Sequence, residues 1–107
     1  MPHYMLQVAY TPEAWATQVK NPQNRMEAVR PAIERLGGRV ETAYYTFGDY
    51  DIVIITEFPD NVQAAAFSLA ASAGGAVKAL RTTPLLTIEE GLAAVKAAGG
   101  AGYQPPA

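Results

Sequence analysis

Residues 39–58 read RVETAYYTFGDYDIVIITEF, two runs of β-branched and aromatic residues parted by a glycine–aspartate pair. Arg39 to Phe47 and Asp51 to Phe58 both have the composition of strands. Gly48-Asp49 supplies the turn, and a link that short makes the two strands an antiparallel hairpin. The second strand does not alternate. Ile52, Val53, Ile54 and Ile55 are apolar on both faces, whereas a strand with one wet face would carry polar residues at every other position. Something must therefore cover both faces of the sheet that this hairpin joins.

Upstream, Tyr4, Leu6, Val8 and Tyr10 alternate with His3, Met5, Gln7 and Ala9, which is the period of a strand over Tyr4 to Tyr10. Thr11-Pro12-Glu13 then starts a helix, with a capping hydroxyl, a proline at the first helical position and an acid in the first turn. The helix is expected to pause near Lys20, because Asn21 precedes a proline. It should resume with Met26, Val29, Ile33 and Leu36 on one face, leaving Arg25 and Arg30 on the solvated side. Pro31 removes a backbone donor and should loosen this second piece. Gly37-Gly38 closes it with a left-handed cap.

Downstream, Pro59-Asp60-Asn61 caps an alanine-rich helix from Val62 to about Ala73, with Phe67 and Leu69 as its large residues and Gly74-Gly75 as its stop. Ala76 to Thr87 reads as a fourth strand, and Pro84 confines it to a sheet edge. Ile88 to Ala98 forms a further short helix. Residues 99–107 are a Gly/Pro-rich tail beyond a domain of residues 1–98.

The order β-α-β-β-α-β with a terminal helix predicts an α+β fold of the ferredoxin-like kind: an antiparallel four-stranded sheet, order 4-1-3-2, with its helices on one face. That order places the Pro84 strand on an edge, as proline requires. The opposite face is apolar in the first and third strands. A second copy of the chain is the expected cover, giving a homodimer or a larger homo-oligomer. The competing cover is the terminal helix or tail folding back.

Composition narrows the chemistry. A chain of 107 residues, half hydrophobic and 17% charged, makes one domain with a real core. Eight basic against ten acidic residues leave no electrostatic footprint for nucleic acid. The absence of cysteine excludes thiolate metal sites and cysteine nucleophiles, and the single histidine excludes a multi-histidine site. No cofactor and no metal is called for. The apolar stretches are too short to cross a bilayer and the first residues do not resemble a signal peptide, so a cytoplasmic protein is expected.

The candidate ligand-binding residues are Trp15, Tyr44, Tyr50, Asp51 and Arg81. Tyr50 could present its hydroxyl at an interface or pocket rim, although beside Gly48-Asp49 it also serves the turn. Asp51 opens an apolar strand, and either lies at its exposed end or pairs with an arginine such as Arg39 or Arg81. Arg81, followed by Thr82 and Thr83, could hold a carboxylate or phosphate through paired hydrogen bonds; an exposed or cross-sheet pairing role is the commoner one. Tyr44 and Tyr45 point to opposite faces, so only one can line a given pocket. Trp15 packs on the sheet or at an interface. His3 is a lone imidazole near the terminus, a general base in principle and more often a surface residue. Ser68 and Ser72 lie on the alanine-rich helix with no His/Asp constellation around them. No catalytic residue is assigned.

Gly48, Tyr50 and Asp51 match the glycine-x-tyrosine-aspartate signature of the GYD domain family, which the chain resembles. The likeness includes the opening strand with Tyr4, the Leu36-Gly37-Gly38 helix end, Ile52-Val53, Glu57 before Pro59-Asp60, and Arg81-Thr82-Thr83. It spans roughly residues 3 to 90, and Pro84 departs from the pattern. The resemblance implies a ferredoxin-like domain that assembles as a dimeric α+β barrel, and implies no activity.

Three functional readings follow. The first is a homo-oligomeric small-molecule-binding domain, with a cavity between sheet and helices or at a subunit boundary. The second is a cofactor-independent monooxygenase- or isomerase-like enzyme of the dimeric α+β barrel type, by fold-level analogy. The third is an interaction module. An enclosed apolar cavity holding His3, a tyrosine hydroxyl or Arg81 favours the first two; a cavity filled by side chains favours the third.

Overall fold

The computed structural model describes residues 1–106, and Ala107, the last residue of the predicted tail, lies outside them. The elements follow the order β1 (His3–Tyr10), α1 (Pro12–Lys20), α2 (Arg25–Arg35), β2 (Arg39–Tyr45), β3 (Ile52–Glu57), α3 (Asn61–Ala73), β4 (Val77–Leu85) and α4 (Ile88–Gly99). The sheet is antiparallel with order β2-β3-β1-β4, which is 4-1-3-2 read from the other edge. Pro84 therefore lies on an edge strand, opposite Tyr4, where its missing N–H costs no ladder bond to a further strand.

The caps are formed by the expected side chains. Thr11 Oγ1 accepts from Ala14 N at the start of α1, and Asp60 accepts from Gln63 N at the start of α3. The first helical region is two separate helices: Asn21 ends α1, and Asn24 opens α2 by accepting from the amides of Met26 and Glu27. α2 continues through Pro31 to Arg35. Gly37 then turns at φ +79°, and a Cβ there would stand 2.9 Å from the Pro59 ring. At Gly38 a Cβ would meet the Glu57 carbonyl and the Phe58 ring at 2.7 Å, so this helix end can approach β3 only as glycine.

The core lies on one face of the sheet. Tyr4, Leu6, Val8 and Tyr10 of β1 and Ile52 and Ile54 of β3 point into it, joined by Phe58, by Ile33 of α2 and by Ala64 and Phe67 of α3. Met26, Val29 and Leu36 pack against it, as their helical spacing requires, together with Trp15 of α1. The Tyr4 hydroxyl donates to Asn61 Oδ1 at 2.6 Å, and the Ser68 and Thr82 hydroxyls share a hydrogen bond of 2.6 Å that ties α3 to β4.

The other face carries Met5, Gln7, Val53, Ile55, Thr83 and Leu85, aligned across the strands by the register and half-buried. α4 does not fold back over them. It has no buried residue and exposes Ile88, Leu92 and Val95, which fall on one stripe at i, i+4 and i+7. The radius of gyration is 17.0 Å, against roughly 13 Å for a compact chain of this length, because this end of the chain projects. No helix is long and apolar enough to cross a membrane among the described residues.

Candidate functional site

The β2–β3 connection is longer than a two-residue turn. It spans residues 46–51 and is closed by Thr46 N donating to Asp51 O at 2.8 Å and Thr46 Oγ1 donating to Tyr50 O at 2.6 Å. Asp51 then links three elements. Its amide donates to Val8 O, while its carboxylate Oδ2 accepts from Tyr10 N at 2.8 Å and from the Trp15 indole Nε1 at 3.1 Å. The register of β1 and β4 shifts between Ala9 and Tyr10, and beside that irregularity Tyr10 N takes Asp51 as its partner. Of the two places open to Asp51, an exposed strand end or a pairing with arginine, it takes neither: half-buried, it accepts from an amide and an indole. Arg39 pairs with Glu57 at the far end of β3, and Arg81 lies on the other face of the sheet. Trp15 stacks edge-on against Tyr10, with ring centroids 5.5 Å apart, and lies 6.4 Å from Tyr45.

Behind this corner a cavity of about 280 Å³ opens between the helices and the sheet. α2 packs on β2 and α3 on β4, and the two helices scarcely meet. Ala28 and Ala32 of α2 and Ala70 and Ala71 of α3 face the gap with side chains too short to fill it. Val8, Ile54, Val29, Phe67, Val77 and Leu80 form the walls. Two groups with polar ends line it: Tyr10 and Arg25. Burial pushes the Tyr10 phenol above its ordinary value, against the opposing pull of the nearby Arg25 guanidinium. Arg25, half-buried, lines both this cavity and the neighbouring groove of Thr17, Gln18, Asn21 and Gln23, where its helical spacing suggested the solvated side. It enters no ion pair among the described residues.

A family model described as the GYD domain matches residues 4–95. The chain belongs to the GYD domain family. No curated protein and no solved structure matches it. In this GYD domain the signature residues have distinct structural places: Gly48 takes φ +151°, Tyr50 offers its carbonyl to Thr46, and Asp51 clamps β1 and α1.

The structure brings Trp15, Tyr50 and Asp51 to one corner and leaves the other two candidates away from it. Tyr44 lies on the opposite face of the sheet, in register with Val53, and is 67% exposed. Tyr45, on the helix side, is the tyrosine of that pair that meets Trp15. Arg81 is exposed on the same outer face as Tyr44, at the other edge of the cross-strand row Tyr44-Val53-Gln7-Arg81. Thr82 faces the helices and is engaged by Ser68, so Arg81 and its two following hydroxyls do not converge.

A second polar group lies on the outer face. His3 is the first residue of β1, paired in register with Glu57 and Leu85. The β2 register shifts between Val40 and Thr42, which brings Glu41 onto His3: His3 Nδ1 stands 2.6 Å from Glu41 Oε1. His3 Nε2 stands 3.7 Å from Glu57 Oε1, while Glu57 Oε2 accepts from Arg39 Nε. Arg39 holds the Glu57 carboxyl below its ordinary value, a pull larger than the opposing effect of desolvation. One ligand atom from each of His3, Glu41 and Glu57 falls within 4.8 Å of the others, a donor set of one imidazole and two carboxylates that suits a first-row divalent cation. Arg39 already neutralises one of those carboxylates, so ion pairing accounts for the cluster without a metal. Position in sequence gave no sign of this group, because it depends on the irregular register of β2.

Proposed function

We propose that this GYD domain is a cytoplasmic, homo-oligomeric small-molecule-binding domain whose ligand occupies the cavity between the helices and the sheet. The observation that supports it is the cavity itself: about 280 Å³ with apolar walls and a tyrosine and an arginine among its lining residues, close to the lower end of ordinary ligand pockets. A core that needed only to hold the fold would close such a gap with larger side chains, since empty apolar space costs stability.

Self-association is the other half of this reading. The half-buried apolar row on the outer face has no helix packed on it, and the α4 stripe of Ile88, Leu92 and Val95 is exposed. From strand spacing and rise, the outer face measures roughly 20 by 25 Å. That is below the about 800 Å² per partner of a stable dimer, so α4 is expected to join the sheet in covering the second copy.

An enzymatic reading has one observation in its favour, the Glu41–His3 pair, in which a carboxylate orients an imidazole as in a general base. That pair lies on the opposite side of the sheet from the cavity, which favours binding over catalysis for the cavity. Native mass spectrometry of the purified protein, repeated under denaturing conditions, tests the proposal. A dimer or larger species that loses a defined small mass on denaturation is the expected result. A bare monomer that also fails to take up any apolar probe contradicts it.

A further inference from the structure

The cavity described above is apolar on every side except where Arg25 and Tyr10 stand. No aspartate, glutamate or lysine lines it. Arg25 is the first residue of α2, so its guanidinium adds to the positive end of that helix. The helix amides next to it are already taken: Asn24 Oδ1 accepts from Met26 N and Glu27 N. What remains for a ligand is a half-buried cation that enters no ion pair among the described residues, next to a phenol able to donate a hydrogen bond.

We infer that the ligand is an amphipathic monoanion, a short-chain or aromatic carboxylic acid, whose carboxylate pairs with Arg25 and the Tyr10 hydroxyl while its apolar body lies between α2, α3 and the sheet. This rests on the cavity being a binding site at all, the reading proposed above. Three features argue for an acid over other apolar molecules. A guanidinium presents paired donors that match a carboxylate, and such charge-assisted bonds are roughly twice as strong as neutral ones. A neutral hydrocarbon would leave Arg25 partly desolvated without compensation, which is unfavourable. A cationic ligand would meet like charge, with no carboxylate in the lining to offset it. The nearest acid of the corner, Asp51, already serves the Tyr10 amide and the Trp15 indole.

Three probes of equal chain length separate these cases: octanoate, octan-1-ol and octylammonium, titrated into the whole protein by calorimetry or by amide chemical shifts. Octanoate is expected to bind about ten- to a hundredfold more tightly than octan-1-ol, and octylammonium least of all. In Arg25→Gln the preference for octanoate over octan-1-ol should vanish, and Tyr10→Phe should reduce that preference by a smaller factor. Equal binding of acid and alcohol by the unaltered protein, or stronger binding of the amine, overturns the inference and leaves the cavity as a binding site. An Arg25→Gln protein that keeps the preference overturns the role of Arg25. Failure of all three probes to bind overturns the binding reading itself.

Discussion

The two faces of the sheet are built from alternate residues of the same strands, yet they are finished differently. On the helix face, Tyr4, Leu6, Val8 and Tyr10 alternate into a core in which the buried side-chain polar atoms of the described residues are paired and a gap is left beside Arg25. On the outer face, Met5, Gln7, Val53 and Ile55 stay half-buried, bounded at one end by the His3–Glu41–Glu57–Arg39 group and at the other by Tyr44 and Arg81. The helix face is complete within one chain. The outer face has the apolar content of a buried surface without a helix packed on it, which is the physical basis for proposing a second copy there.

This contrast can be attacked from the helix face first. Leu6→Ala, at a position with no exposure, should cost about 2–5 kcal/mol of stability, read from urea unfolding. A loss below about 1 kcal/mol would mean that this face is not the core. Asp51→Ala leaves the Tyr10 amide and Trp15 indole without their acceptor and should cost about 1–3 kcal/mol, with a change in tryptophan fluorescence. No change in either would return Asp51 to the role of a free binding residue.

The outer face is sharpened by smaller effects. Leu92→Ser on α4 should weaken self-association by about tenfold in sedimentation experiments while leaving the unfolding of the body within about 0.5 kcal/mol. An unaltered dimer would confine the interface to the sheet. Glu57 tests the charged end. Its folded value is lowered from 4.5, chiefly by its hydrogen bond from Arg39, so its contribution is full above about pH 4.5 and fades as pH falls through the folded value. The stability difference between the natural protein and Glu57→Gln should therefore be constant above that pH and shrink below it. A difference that grows on acidification would show that Glu57 is held protonated.

Much of the helix face was legible in the sequence because each signal there is local. The period of Tyr4 to Tyr10, the caps at Thr11 and Asp60, the Gly37-Gly38 turn and the edge placement of Pro84 each rest on a few neighbouring residues. The site residues depend on longer-range geometry. Arg25 read as solvent-facing because it is not one of the large apolar residues Met26, Val29, Ile33 and Leu36 that mark the buried face of α2, yet it shares with Ala28, Val29 and Ala32 the stripe that lines the gap. Glu41 reaches His3 only through the register shift of β2, and Asp51 finds an indole and an amide only because the end of β1 meets α1. Irregular register and the gap left between two helices are settled by packing, which no local pattern encodes.

The most direct test of the account is the native mass of the protein at micromolar concentration beside that of Ile55→Lys, which places a charge at the centre of the outer face and leaves the helix face untouched. The natural protein should appear as a dimer or larger species and the variant as a monomer with the same far-ultraviolet circular dichroism. A natural protein that is monomeric, or a variant that assembles as before, would contradict the claim that the outer face is where two copies meet.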